Sequence, residues 1–235
     1  MSGTVANAPV VIDHAEYAIT APSPDLIQYD ESRSCVTFTV RPGDQAPYDR
    51  KRARPYERAE LINLSAFPFG KPVTISYFQY IAPGSAATRP AIIGQIHNTG
   101  PADRPQPFAA MRVDGQSQYL VTYSGGGIHD PRKSTVRWSA PLVLGRWVHW
   151  TWQYTPSRTN TTLRIWRDGT PIFDAPLQLG GYTGPRGPYW QFGIYRSKDR
   201  TTMRVAYAAM RVRPGPPTIP PAVPPRPSCP VKPLP

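Results

Sequence analysis

The sequence predicts an all-β fold, a jelly-roll sandwich of two antiparallel sheets with a polar groove on the concave sheet. Three observations predict it. Apolar and polar residues alternate with a period of two through one short run after another, the signature of strands with one buried face. Thirty-one prolines and eighteen glycines fall mostly between those runs, where they act as turn and loop punctuation. Helical periodicity is weak throughout, and a short helical turn at residues 25–29 is the one expectation of that kind. Many short strands at close spacing bury their apolar faces best as two packed sheets.

In chain order, residues 34–41 set Val36, Phe38 and Val40 on one face and Thr37, Thr39 and Arg41 on the other. Residues 56–62 set Ala59 and Leu61 against Arg58 and Glu60, after a loop crowded with Arg50, Lys51, Arg52 and Arg54. Residues 73–81 alternate and are rich in β-branched and aromatic types, which suit a pleated surface. Runs at 91–97, 108–113 and 118–123 follow, and 147–154 puts Val148, Trp150 and Trp152 on one side. Residues 163–167 lead into Asp168-Gly169, a hairpin-turn pair. Residues 189–196 and 203–212 complete the set.

Residues 30–213 are expected to form the sandwich, with 1–29 packing on it or leading into it. Residues 214–235 are half proline, which excludes helix and sheet interior and predicts an extended tail. Cys35 and Cys229 stand near opposite ends of the chain. They would bridge the tail to an early strand in an oxidising compartment and remain free thiols in the cytosol. His14, His97, His129 and His149 have no ligand spacing, so no structural zinc is expected.

No apolar stretch approaches the length of a membrane-spanning helix, and residues 1–20 lack the pattern of a signal peptide. A secreted or periplasmic protein whose signal peptide is absent from this chain is expected. The formal net charge of +12 favours a polyanionic partner.

Two strands carry chemistry. In Gln95-Ile96-His97 the amide and the imidazole share one face, opposite Ile92, Gly94 and Ile96. In 189–196, Tyr189, Gln191, Gly193 and Tyr195 share a face opposite Trp190, Phe192 and Ile194. With Arg58 added, a guanidinium, an amide, an imidazole and a phenol occupy the polar sides of three strands backed by core residues. A guanidinium suits a carboxylate because its planar fork binds both oxygens.

Arg58-Ala59-Glu60-Leu61, Gln95-Ile96-His97 and the run from Tyr189 to Tyr195 resemble, in order, the signature strands of jelly-roll polysaccharide lyases. Those families include alginate lyases, glucuronan lyases and heparin lyase I. Trp147-Val148-His149-Trp150, the stretch 163–169, and Gly187-Pro188-Tyr189 resemble the glucuronan and heparin lyase branch. The likeness implies β-elimination in a uronic acid polymer, with Arg58 and Gln95 neutralising the sugar carboxylate and His97 and Tyr195 as the proton-transfer pair, the base being either one according to the sugar's stereochemistry. It also implies that Tyr189, Gln191, Arg196, Glu60 and Tyr123 bind substrate, and that Arg58 or His97 lowers the pKa of Tyr195.

No redox cofactor or catalytic metal is required, although relatives often carry a structural calcium. Ile62 stands where alginate lyases usually have a second Arg, and Gln191 where they commonly have Lys. Both differences point toward glucuronan. The partner implied is an anionic polysaccharide bound by a monomer, with no nucleic acid and no membrane. A lectin-like jelly roll without catalysis is the rival reading, and convergence of His97 with Tyr195 would tell the two apart.

Overall fold

A computed structural model describes residues 9–85, 87–97, 107–124, 133–177 and 187–234. Its strands form two antiparallel sheets. The eight-stranded sheet runs, in spatial order, β1 (Val10–Ile12), β2 (Ala15–Thr20), β5 (Tyr56–Asn63), β14 (Tyr189–Ser197), β7 (Ala91–His97), β8 (Pro107–Val113), β9 (Ser117–Ser124) and β10 (Lys133–Pro141). The seven-stranded sheet runs β13 (Thr170–Leu177), β12 (Thr161–Arg167), β11 (Trp147–Thr155), β6 (Val73–Ile81), β15 (Met203–Pro214), β4 (Cys35–Val40) and β3 (Ile27–Asp30). Sequence neighbours often lie in different sheets, the crossing pattern of a jelly roll.

The core fills the space between the sheets with the apolar faces of the alternating strands. Trp150, Trp152, Trp190, Phe192, Phe38 and Tyr207 are all fully buried there. Their rings meet edge to face, Trp152 with Trp190 at 5.3 Å and Phe192 with Tyr207 at 5.0 Å between centroids, the arrangement that aromatic quadrupoles favour. The Asp168-Gly169 pair makes the predicted β12–β13 hairpin, both residues having positive φ (49° and 77°), as a primed turn requires.

Two local expectations change, and strands form where none was expected. The helical turn expected at 25–29 is a 3-10 turn at Pro24–Leu26, after which Ile27–Asp30 is drawn into pairing with β4. Strands β10 and β13 show little apolar alternation because both lie at sheet edges, and β10 is largely exposed. In β7, Ile93 forms a bulge against β8, since Ile92 and Gly94 pair with the consecutive residues Arg112 and Met111. A bulge shifts face alternation by one residue. Ile93 therefore enters the main core, and Ile92, expected opposite Gln95, joins the outer face beside Tyr195.

The proline-rich tail lies on the outer face of the seven-stranded sheet. Cys229 is disulfide-bonded to Cys35 and packs with Phe78, Ala208 and Trp147. Arg204 donates to the carbonyls of Lys232 and Pro233, and the Leu234 amide donates to Pro83. His129 lies outside the described residues.

Candidate active site

Strand register arranges the outer face of the eight-stranded sheet in rows. Arg58 pairs with Tyr195, Tyr195 with Ile92, Ile92 with Arg112, and Arg112 with Tyr119. Beyond the Glu60–Gly193 pair, a second row joins Ile62, Gln191, Gln95 and Ala110, and a third joins Tyr189, His97 and Pro107. Strands lie about 4.8 Å apart, so each row is a continuous line of side chains. Residues of all three rows line one cavity of about 490 Å³, with Arg58, Gln95, His97, Gln191 and Tyr195 among them.

At one end of this groove, Arg58 stands against a carboxylate that the sequence reading did not single out. Asp49 lies on the short helix α1 (Pro47–Lys51), which starts on a proline at its first turn, a position where the missing N–H costs nothing. Its Oδ1 accepts a 2.9 Å hydrogen bond from Arg58 Nη2, and its Oδ2 lies 2.6 Å from Arg58 Nε. Asp49 is fully buried by this contact. The Arg58 amide donates to Asp44, and Gln45 Nε2 donates to the Arg54 carbonyl, so the basic loop is tied down onto β5. The one signal for Asp49 in the sequence is an acid directly preceding Arg50, Lys51 and Arg52.

Glu60 pairs with Gly193, between the Arg58 row and the Gln95 row. Its Oε1 accepts a 3.0 Å hydrogen bond from Gln95 Nε2, its carboxyl also bonds the Gln191 side chain, and Arg58 Nη1 stands 3.6 Å from Oε2. Burial pushes this carboxyl up to about 7 against the opposing pull of Arg58 and the two amides. One N–H of Gln95 is thus committed to Glu60, and the other remains for a ligand.

At the far end, His97 and Tyr189 form a close pair. The Tyr189 hydroxyl lies 3.1 Å from His97 Nδ1, and the rings stack at 5.3 Å with 25° between planes. Tyr195 shares the cavity with His97 but pairs with Ile92, five residues earlier on the same strand. Its ring lies under the Arg58 guanidinium, 4.3 Å from Cζ, and 5.0 Å from the ring of Tyr56.

Burial raises the Tyr195 phenol well above its ordinary pKa, and burial likewise pushes Tyr189 up to about 12. The expectation that Arg58 lowers Tyr195 is thereby corrected. Arg58 does pull downward, but desolvation is larger, and the nearby Asp49 and Glu60 carboxylates oppose it. In the free protein Tyr195 is a neutral phenol.

Arg196, expected at the substrate, is turned elsewhere. The Arg196 side chain falls on the core-facing parity of β14 and is fully buried, with Nε donating to Glu57 Oε2 at 2.9 Å and Nη2 to the Thr201 carbonyl. A guanidinium at the end of an alternating run faces inward if a buried carboxylate awaits it, and Glu57 does so here. Tyr123 is buried with Ile92, Ala110 and Val121 in an apolar patch beside the groove. Conversely, Arg112 and Tyr48 line the cavity without having been anticipated, and Arg54 of the basic loop joins them. Among the described residues, no group of three or more His, Cys, Asp or Glu could hold a metal ion.

Fold and groove together define the class, a two-sheet jelly roll with a polar cleft on one sheet. The same fold occurs in the endo-β-1,4-glucuronan lyase of the fungus Trichoderma reesei (14% identity, 89% of this chain and 92% of that one, TM-score 0.61). It occurs too in an alginate lyase from polysaccharide lyase family 7 (13% identity, 87% and 97%, TM-score 0.60) and in an alginate lyase of Pseudomonas aeruginosa (16% identity, 84% and 97%, TM-score 0.59). No curated protein matches the chain significantly in sequence. A family model described as polysaccharide lyase matches residues 21–209. The chain belongs to that family, and the protein is a polysaccharide lyase.

Proposed function

We propose that the protein cleaves a uronate-containing polysaccharide by β-elimination, with β-1,4-glucuronan as the leading substrate. The observation that carries this reading is the single groove lined by Arg58, Gln95, His97, Gln191 and Tyr195. The fold shared with a glucuronan lyase supports it. So does the neutral Gln191–Ile62 pair at the position where the alginate branch carries basic residues.

The C5 proton lies alpha to a carboxylate and is too weakly acidic to leave until that charge is neutralised. Donors aimed at the developing enolate lower this barrier. Gln95, with its uncommitted N–H, and Arg58 Nη1 supply them. A base then takes the C5 proton, the C4–O4 bond breaks, a C4–C5 double bond forms, and an acid protonates O4.

The neutral Tyr195 phenol suits the acid role. If Nδ1–H of His97 donates to the Tyr189 oxygen, Nε2 is left as the proton acceptor, so Tyr189 orients the base. His97 thus serves sugars whose C5 proton and O4 leave from opposite sides, guluronate and iduronate. In glucuronate and mannuronate they leave from one side, and Tyr195 serves both steps as phenolate and then phenol. Since burial disfavours the phenolate, the rate on polyglucuronate rises with pH into the alkaline range.

On this reading the protein works as a monomer outside the cell or in the periplasm and uses no redox cofactor. The test is ultraviolet absorbance from the new double bond on polyglucuronate, polymannuronate, polyguluronate and heparin. Absorbance on polyglucuronate that rises with pH supports the reading. Absence of absorbance on all four overturns it.

A further inference from the structure

We propose that Arg112 binds the carboxylate of a second acidic sugar, beyond the one that loses its proton, and so makes the enzyme select chains charged on more than one residue. The inference rests on the polyuronate reading above. Strand β8 reads Pro-Phe-Ala-Ala-Met-Arg-Val, so Arg112 is its single charged residue. Register sets it in the row of Arg58 and Tyr195, one strand beyond Ile92, and it lines the same cavity. From β5 to β8 is three strand spacings, about 14 Å. That exceeds the width of a single pyranose ring, and side chains on a sheet stand nearly perpendicular to it. Arg58 and Arg112 therefore address different sugars.

The two guanidiniums also differ in what they have left to give. Arg58 faces Asp49 and Glu60, and most of its charge is met inside the protein. Arg112 pairs with no carboxylate among the described residues, and its Nε is buried without a hydrogen-bond partner. Its guanidinium lies 5.6 Å over the Tyr123 ring and shares a hydrogen bond with the Tyr119 side chain. These contacts hold its orientation and leave the Nε donor unmet. The guanidinium lines the cavity with no carboxylate of the described residues against it, and a carboxylate from a bound chain meets its charge through a charge-assisted hydrogen bond. Ile92, between Arg112 and Tyr195, provides an apolar floor for the sugar ring that joins the two sites.

The experiment compares the full chain with Arg112→Gln and Arg112→Lys on native polyglucuronate and on polyglucuronate with a graded fraction of its carboxylates reduced to alcohols. Loss of a charge-assisted contact corresponds to about a tenfold rise in KM for Arg112→Gln on the native polymer. Arg112→Lys, which keeps the charge but loses the fork, rises less and guards against a folding defect. As carboxylates are removed, the unaltered enzyme loses rate faster than the remaining charge, and Arg112→Gln loses it in proportion.

Calorimetric binding of the native polymer gives a readout that does not depend on turnover. Cleavage with unchanged KM in both variants, and the same fall on reduced polymer, overturns the role of Arg112 and leaves the lyase reading intact. Binding that weakens about tenfold in Arg112→Gln, with no cleavage of any polyuronate, overturns polyuronate elimination and keeps the Arg112 contact. Neither cleavage nor binding overturns both.

Discussion

The two outward faces of the sandwich are built by the same alternation and used in opposite ways. On the seven-stranded sheet the outer face is covered, with Cys229 bonded to Cys35 over Phe78 and Trp147 and the tail's carbonyls held by Arg204. Beneath it Ser76 Oγ and His149 Nε2 meet at 3.0 Å. On the eight-stranded sheet the outer face is open, and its polar groups are only partly answered. Glu60 sits buried with its pKa raised, Arg112 Nε lacks an acceptor, and two tyrosines are held as neutral phenols. One face contributes stability, and the other holds groups at a cost that a ligand relieves.

Four substitutions probe that division. The largest effect is expected from Tyr195→Phe, which lowers the elimination rate by about 10²–10⁴-fold with little change in melting temperature. A retained rate would remove Tyr195 from the chemistry. On the covered face, Cys229→Ser releases the tail across a loop of 194 residues and lowers unfolding free energy by about 2–5 kcal/mol. Activity well below the melting temperature is kept, and if the rate fell as far as stability did, the two faces would not be independent.

Asp49→Ala crosses the division. It strips Arg58 of its buried partner and costs up to about 3 kcal/mol in denaturant unfolding, while raising KM because the guanidinium loses its orientation. A pure stability effect would mean that Arg58 is a structural residue.

The smallest effect is expected from Glu60→Gln and depends on pH. The Glu60 carboxyl is raised to about 7 in the folded protein from an ordinary 4.5. Its contribution to stability is therefore fully present below pH 4.5 and is lost as pH rises through 7. The melting temperature of Glu60→Gln should gain on the unaltered protein between pH 5 and pH 8. A gap that stays constant would place the ionisation of Glu60 outside this window.

Much of the groove was legible because the strand period is short and local. The alternation at 56–62 and 189–196 correctly assigns Arg58, Glu60, Gln191 and Tyr195 to one face and Ala59, Leu61, Trp190 and Phe192 to the other. What was not legible depends on a partner distant in sequence. Asp49 matters only because α1 folds against β5. Arg196 can keep its charge on the core-facing side that strand parity assigns it because Glu57, 139 residues away, is buried beside it. Ile92 reaches the outer face only because the bulge at Ile93 displaces the alternation where β7 meets β8.

By itself, then, the sequence determined the all-β class, the order of the polar strands and the residue types of the groove, since a period of two is written into consecutive side chains. The tertiary structure alone decided which groups meet. It joined His97 to Tyr189 by strand register, faced Arg58 with Asp49, and left Arg112 without a carboxylate among the described residues. The pKa directions of the tyrosines were decided there too. Desolvation depends on everything packed around a group, and no local pattern of residues records it.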